Sequence, residues 1–227
     1  MNESGAQSPF ALALQWLADP SRWTGAAGIP ARTAEHLGYT VLGVAVAALI
    51  AIPLGLYVGH TGRFKSLAVA AAGMARALPT LGLVTLFALL IGIGLTAPLL
   101  SFVILAVPSL LAGAYSAVEA ADPATVDAAR AQGMTEWQIL TRVEIPLGMP
   151  LLVGGFRGAT VQVVSTAMLA AYVGNGGLGR YIFQGLGSQD YPQMIAGSLL
   201  VIALALVLDL ALLLIQRLTA PRGVIAA

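Results

Sequence analysis

The residues in this chain best suited to specific chemistry form a polar island. Asp127, Ala128 and Ala129 are followed after three residues by Gly133, and nine residues later by Val143-Glu144-Ile145-Pro146. Long apolar runs flank the island on both sides. The chemistry it offers is docking, not bond-making. Ala128, Ala129 and Gly133 have almost no side chain and let another surface approach the backbone, while Met134 and Trp137 supply contact area. Asp122-Pro123 reads as an N-cap followed by proline in the first turn, and Gly133 as a helix stop, which predicts a short helix over about 123–132. Thr135-Glu136-Trp137-Gln138 has the spacing of a capping box, so a second short helix starts there and ends near Pro146. Caps of this kind also suit an ordinary helical loop, and by themselves they leave a docking element and a plain connector both open.

Other candidate sites read down. Gly174, Gly176 and Gly179 satisfy G-x-G-x-x-G, but a dinucleotide site needs a preceding strand, a following helix in a βαβ unit and a placed acid. The segment instead reads as a flexible bend leading to a short external helix near 180–187. His36 and His60 lie near span ends without acids or other histidines in ligand spacing, so they read as interfacial residues and no metal site is expected. There is no cysteine, no credible Ser/His/Asp or paired-carboxylate arrangement, and no G-x-x-x-x-G-K-[ST] loop. The chain is not expected to be an enzyme or to hold a cofactor.

The elements that must position the island are set by composition. With 58% hydrophobic and 9% charged residues and a mean hydropathy of +0.88, the chain cannot present a normal wet surface and belongs in a bilayer. A net charge of +1 gives no nucleic-acid footprint. Spans are expected at about 37–59, 64–94, 98–118, 147–173 and 194–218, with the second broken near Pro79 and Gly82. In the first, Ala47, Ala51 and Gly55 recur at four-residue spacing and permit a close helix crossing. Residues 1–35 mix tryptophan, charge and proline and read as an interfacial segment. Residues 36–220 form the membrane domain, with the island at about 122–145 inside it, and 221–227 a tail. Placing the island in the cytoplasm puts Arg63, Lys65, Arg130, Arg142, Arg217 and Arg222 on that side against Arg22, Arg32 and Arg180 on the other. The N-terminus is then outside and the C-terminus inside.

Three charges fall within apolar spans: Arg76, Arg157 and Asp209. At a rise of about 1.5 Å per residue each lies about 12 to 16 Å from its nearest cytoplasmic marker, so they can meet at one depth. Asp209 is expected to pair with Arg157 or Arg76, in a structural or a gating role. Gln162, Ser165, Thr166 and Tyr172 form a polar stripe that either lines a route for a small hydrophilic solute or bonds neighbouring helices.

The island also resembles a known family. Membrane subunits of binding-protein-dependent ABC importers carry Glu-Ala-Ala, three residues, Gly, nine residues, then Ile-x-Leu-Pro. This chain keeps the spacing, with Asp127, Val143 and Ile145 as mild replacements and Ala128, Ala129, Gly133 and Pro146 retained. The stretch from Leu169 to Gly179, with Arg76 to Pro79 upstream, is similar to permeases for glycine betaine, choline, carnitine and related osmoprotectants; methionine permeases share the size and a similar glycine turn. The resemblance implies an all-α integral membrane fold with five core transmembrane helices, the type I ABC importer, methionine-permease-like domain. It implies that Asp127 to Pro146 form coupling helices gripped by two copies of an ATPase holding ATP and Mg. It further implies a second permease subunit, the same chain or a homologue, an extracytoplasmic solute-binding protein, and location in the cytoplasmic (inner) membrane. A scaffold or channel subunit working without nucleotide is the alternative from another class.

Overall fold

The computed structural model describes residues 8–219, apart from the side chain of Arg76. The tail at 221–227, Arg222 and any partner of the Arg76 side chain therefore lie outside the described residues. The described residues form helices and turns, in the order α1 (Pro9–Ala18), α2 (Ile29–Thr61), α3 (Lys65–Arg76), α4 (Thr80–Ile91), α5 (Thr96–Glu119), α6 (Pro123–Ala131), α7 (Glu136–Ile139), α8 (Ile145–Thr166), α9 (Gly179–Ser188) and α10 (Tyr191–Leu218). A 3-10 turn at Pro20–Trp23 follows α1, a π-helical turn at Leu140–Glu144 joins α7 to α8, and 3-10 turns at Ala167–Val173 follow α8.

Among the described residues, four helical stretches are long and apolar enough to cross a bilayer: Ile29–Thr61, Thr96–Glu119, Glu136–Val173 and Tyr191–Leu218. The broken pair α3 and α4 meets the same criteria only when its two helices are counted together. The break falls at residues 77–79, where Pro79 has no N–H to donate and disfavours helical geometry at Leu78. The first span begins at Ile29, inside the stretch read as interfacial, because Pro30 suits the first turn of a helix. It passes through Pro53 unbroken.

The chain divides into two compact units. One contains Gly43–Pro79, Val103–Val163 and the described residues from Val207. Helix crossings here are made by absent side chains. A Cβ on Gly55 would stand 2.6 Å from the Leu111 carbonyl oxygen, and one on Gly113 would stand 2.6 Å from the Gly155 Cα. Gly148 lies directly against the Ala117 backbone. Ala47 and Ala51 are fully buried on the same face of α2 as Gly55. In hydrocarbon, burying apolar surface gives little drive, so close backbone approach and its dispersion contacts hold α2, α5 and α8 together.

The other unit contains the described residues up to Leu42 together with Thr80–Phe102 and Val164–Leu206. Trp16 of α1 meets Tyr181 of α9 edge-on at 5.1 Å, within a core that includes Ile29, Leu178 and Ala196. The Tyr181 hydroxyl donates to the Ala27 carbonyl at 2.7 Å. Fully buried His36 bonds the Val164 carbonyl through Nε2 at 2.8 Å. The glycine bend is a packing device. Gly174 and Gly177 have φ of +89° and +84°, and a side chain on Gly176 would strike the Glu35 carboxylate. That carboxylate accepts from the Gly177 N–H and from Arg32, both at 2.7 Å.

Candidate functional site

Residues 122–146 fold into two capped helices that meet at a bend. Asp122 caps α6 by accepting from the Ala124 N–H at 2.8 Å, with Pro123 in the first turn. The turn after α6 uses Gly133 at φ +83°, a conformation that a side chain resists. Among the described residues, nothing beyond its chain neighbours lies within 4 Å of where its Cβ would stand. Thr135 and Gln138 form a reciprocal capping box: the Gln138 N–H donates to Thr135 Oγ1 at 3.3 Å and the Thr135 N–H to Gln138 Oε1 at 2.8 Å.

The second helix does not end near Pro146. It passes through the π-helical turn at Leu140–Glu144 and continues as α8. The wider turn carries the Ile145 N–H to the Leu140 carbonyl, and this local i→i+5 pattern takes the chain into a residue that has no N–H of its own. The capped bend therefore runs without a break into the helix of the fourth span.

Charge holds the bend closed. Arg130 grips Glu136 with two bonds, Nε to Oε1 at 2.9 Å and a terminal nitrogen to Oε2 at 3.0 Å, and reaches Asp127 at 3.2 Å. Glu136, more than Asp127, holds the Arg130 guanidinium above its already high ordinary pKa. His60, at the end of α2, bonds Glu144 through Nδ1 at 2.6 Å and Glu136 through Nε2 at 3.1 Å. This corrects the reading of His60 as a lone interfacial residue. Its acids lie 76 and 84 residues away in sequence, so no spacing rule could have found them.

The expected docking surface is only partly exposed. Trp137 is 71% exposed; Ala128, Gly133 and Pro146 are exposed, and Met134, Val143 and Ile145 are half-buried. Ala129 is a correction: it is 6% exposed and turns inward with Val126 one helical turn before it, because α6 needs an inner face of its own.

His60→Leu is expected to leave the Glu144 carboxylate, 5% exposed, without its partner. The cost should be about 1–3 kcal/mol, read as a lower thermal midpoint of the detergent-purified protein. Adding Glu144→Gln should recover part of it, because the stranded charge is removed.

Of the charges inside the spans, Arg157 and Asp209 meet, with a terminal guanidinium nitrogen 2.7 Å from Oδ2 and Nε bonded to Oδ1. The residues of the expected polar stripe differ in exposure. Gln162 and Ser165 are exposed, whereas Thr166 is 6% exposed at the junction where α-helix gives way to 3-10 turns. Tyr172, 53% exposed, stands 5.5 Å from the Phe183 ring.

Apolar helices of spanning length, joined by glycine crossings and interrupted by one capped, exposed bend, define a membrane subunit of the permease class. Residues 51–223 match the family described as "Binding-protein-dependent transport system inner membrane component", and the chain belongs to that family. It is an integral inner-membrane permease subunit.

Similar proteins agree over nearly its whole length. The osmoprotectant import permease protein OsmW of Salmonella typhimurium is 34% identical over 200 residues, covering 85% of this chain and 92% of that protein. The glycine betaine/carnitine/choline transport system permease protein OpuCB of Bacillus subtilis is 29% identical, covering 85% and 88%. Among solved structures, an inward-facing MetNI methionine ABC transporter superposes with a TM-score of 0.73 at 23% identity, over 85% of this chain and 96% of that one. An amino acid ABC transporter gives 0.70 at 17% identity, over 93% and 99%. Those two likenesses establish the type I importer fold.

Proposed function

We propose that this permease imports a small osmoprotectant of the glycine betaine, carnitine or choline kind, coupled to ATP hydrolysis in a separate subunit. The observation that carries the reading is end-to-end similarity to OsmW, a permease named for osmoprotectant import. The bend at Gly133 supplies the mechanical half. Trp137, Met134 and the bare backbone at Ala128 and Gly133 seat in a cleft of the ATPase, two copies of which hold ATP and Mg. Closure of the ATPase pair pushes α6 and α7. Because the helix is continuous through the π-helical turn, that push enters α8 directly, and the Glu144–His60 bond passes it to the end of α2. Alternating access then follows from tilting of packed helices.

In this reading the bend faces the cytoplasm, the N-terminus lies outside, and a second permease subunit, the same chain or a homologue, completes the pathway. Solute arrives on an extracytoplasmic binding protein. The test is co-purification of the neighbouring subunits and reconstitution in proteoliposomes with ATP enclosed. ATP-dependent uptake of labelled glycine betaine, carnitine or choline, exceeding that of methionine, is the expected result. Uptake of methionine alone would move the assignment to that solute, and flux that persists without ATP would make the chain a channel-like subunit.

A further inference from the structure

Arg157 of α8 and Asp209 of α10 place opposite charges inside apolar spans, and their side chains remain 30% and 28% exposed. Leaving that open side against hydrocarbon is costly. It is satisfied by water, by another polar surface or by a polar solute. The surroundings are built with room: Gly154, Gly155 and Gly158, which bracket Arg157 along α8, line a cavity of about 330 Å³. That volume falls in the range of small-molecule sites. Ser109 and Ser116 of α5 and Gln216 of α10 add hydroxyl and amide groups to its walls. The described residues that line it carry no charge, and Arg157 and Asp209 are not among them; the pair shares α8 and α10 with its walls.

We infer that the Arg157–Asp209 pair is a transit site for a zwitterionic solute, whose carboxylate takes Arg157 and whose ammonium takes Asp209 as the two side chains part. The inference rests on the proposed import of osmoprotectants. The guanidinium fork that holds the Asp209 carboxylate fits any carboxylate equally well. A zwitterion brings one charge of each sign, so the exchange replaces one ion pair by two and strands no charge at either stage. A simple cation such as choline leaves the guanidinium unpaired in a low-dielectric setting, which is penalised. The site thus selects separated charges of zero net sum. The same two helices are also tied by Gln216, whose amide donates to the Pro150 carbonyl at 2.9 Å, so α8 and α10 do not depend on the ion pair alone.

The experiment uses the complete transporter in proteoliposomes and compares wild type with two double variants, the neutral Arg157→Met/Asp209→Leu and the charge-swapped Arg157→Asp/Asp209→Arg. Replacing a buried ion pair by apolar residues is often tolerated, so the neutral variant should assemble and hydrolyse ATP on docking of the loaded binding protein. Its glycine betaine uptake should fall at least about tenfold while choline uptake changes less than about twofold. The swapped variant, which a reversed zwitterion can still bridge, should keep the betaine preference to within about threefold. A neutral variant with the wild-type betaine-to-choline ratio overturns the inference and makes the pair a clamp. If the neutral variant fails to assemble, the swapped variant decides: loss of the betaine preference in an assembled complex also overturns it. A wild-type complex that imports none of these solutes overturns the proposed function and this inference with it, a result distinct from the other two.

Discussion

Gly133→Leu is expected to insert and assemble normally yet to lose at least about tenfold of its ATP-driven uptake, while the ATPase continues to turn over. The reason is local. Gly133 has φ +83°, and a side chain there is strained by about 1–2 kcal/mol. Among the described residues, nothing beyond its chain neighbours lies within 4 Å of the added carbon, so the penalty is confined to the bend and is too small to unfold a helical membrane domain. The bend is nonetheless the hinge between α6 and the Thr135 capping box. Relaxing the strain re-aims Trp137, and the new side chain fills space that a docking partner would occupy. Gly133→Ala, with the same φ penalty and far less bulk, should give an intermediate result. The measurement is the ratio of solute imported to ATP hydrolysed. A wild-type ratio in the leucine variant would remove the bend from the coupling path.

Gly148→Val should produce the opposite failure, loss of the folded subunit itself. Gly148 lies against the carbonyl, carbonyl carbon and Cα of Ala117, all backbone atoms of α5. Backbone cannot swing aside as a flexible side chain can, so α5 and α8 must separate and give up packing along the crossing that also contains Gly113 and Gly155. Overpacking of this kind costs about 1–3 kcal/mol or more, and where van der Waals contact is the main adhesive there is little else to absorb it. The expected readout is a sharp fall in monodisperse protein after detergent extraction. Gly38→Ala is the matched control. Gly38 lies in α2 with open space around its missing Cβ and an ordinary backbone, so alanine should be neutral or stabilise the helix by up to about 1 kcal/mol.

These two glycines differ in how readable they are. Gly133 announces itself, because a capped helix stops two residues before it and a capping box starts two residues after it. Gly148 lies in a run of apolar residues and gives no such sign; only the crossing of α5 against α8 reveals it. Gly55 is between the two. The four-residue spacing of Ala47, Ala51 and Gly55 marks a face for close approach, but not the helix that approaches, which is α5 at Leu111.

The same division runs through the polar residues. Asp122, Thr135 and Gln138 act on backbone groups two or three residues away, so their roles are local and legible. His60, Glu136 and Glu144 act across 76 and 84 residues, and Ala129 is turned inward by the need of α6 for an inner face. Tertiary packing alone settles such matters. Asp209 lies between these cases: its depth in the span was legible and narrowed its partner to two arginines, and the structure brings Arg157 to it.

By itself the sequence determined that this chain lives in a bilayer, where its spans break, and where a small capped bend interrupts them, because hydropathy, proline and helix caps act over a few residues. The tertiary structure alone decided which glycines carry helix crossings, that the bend runs unbroken into the fourth span, and that a histidine at the end of the first span bonds the turn between them. Those outcomes depend on which distant backbones come within van der Waals and hydrogen-bond reach, and no local pattern encodes that.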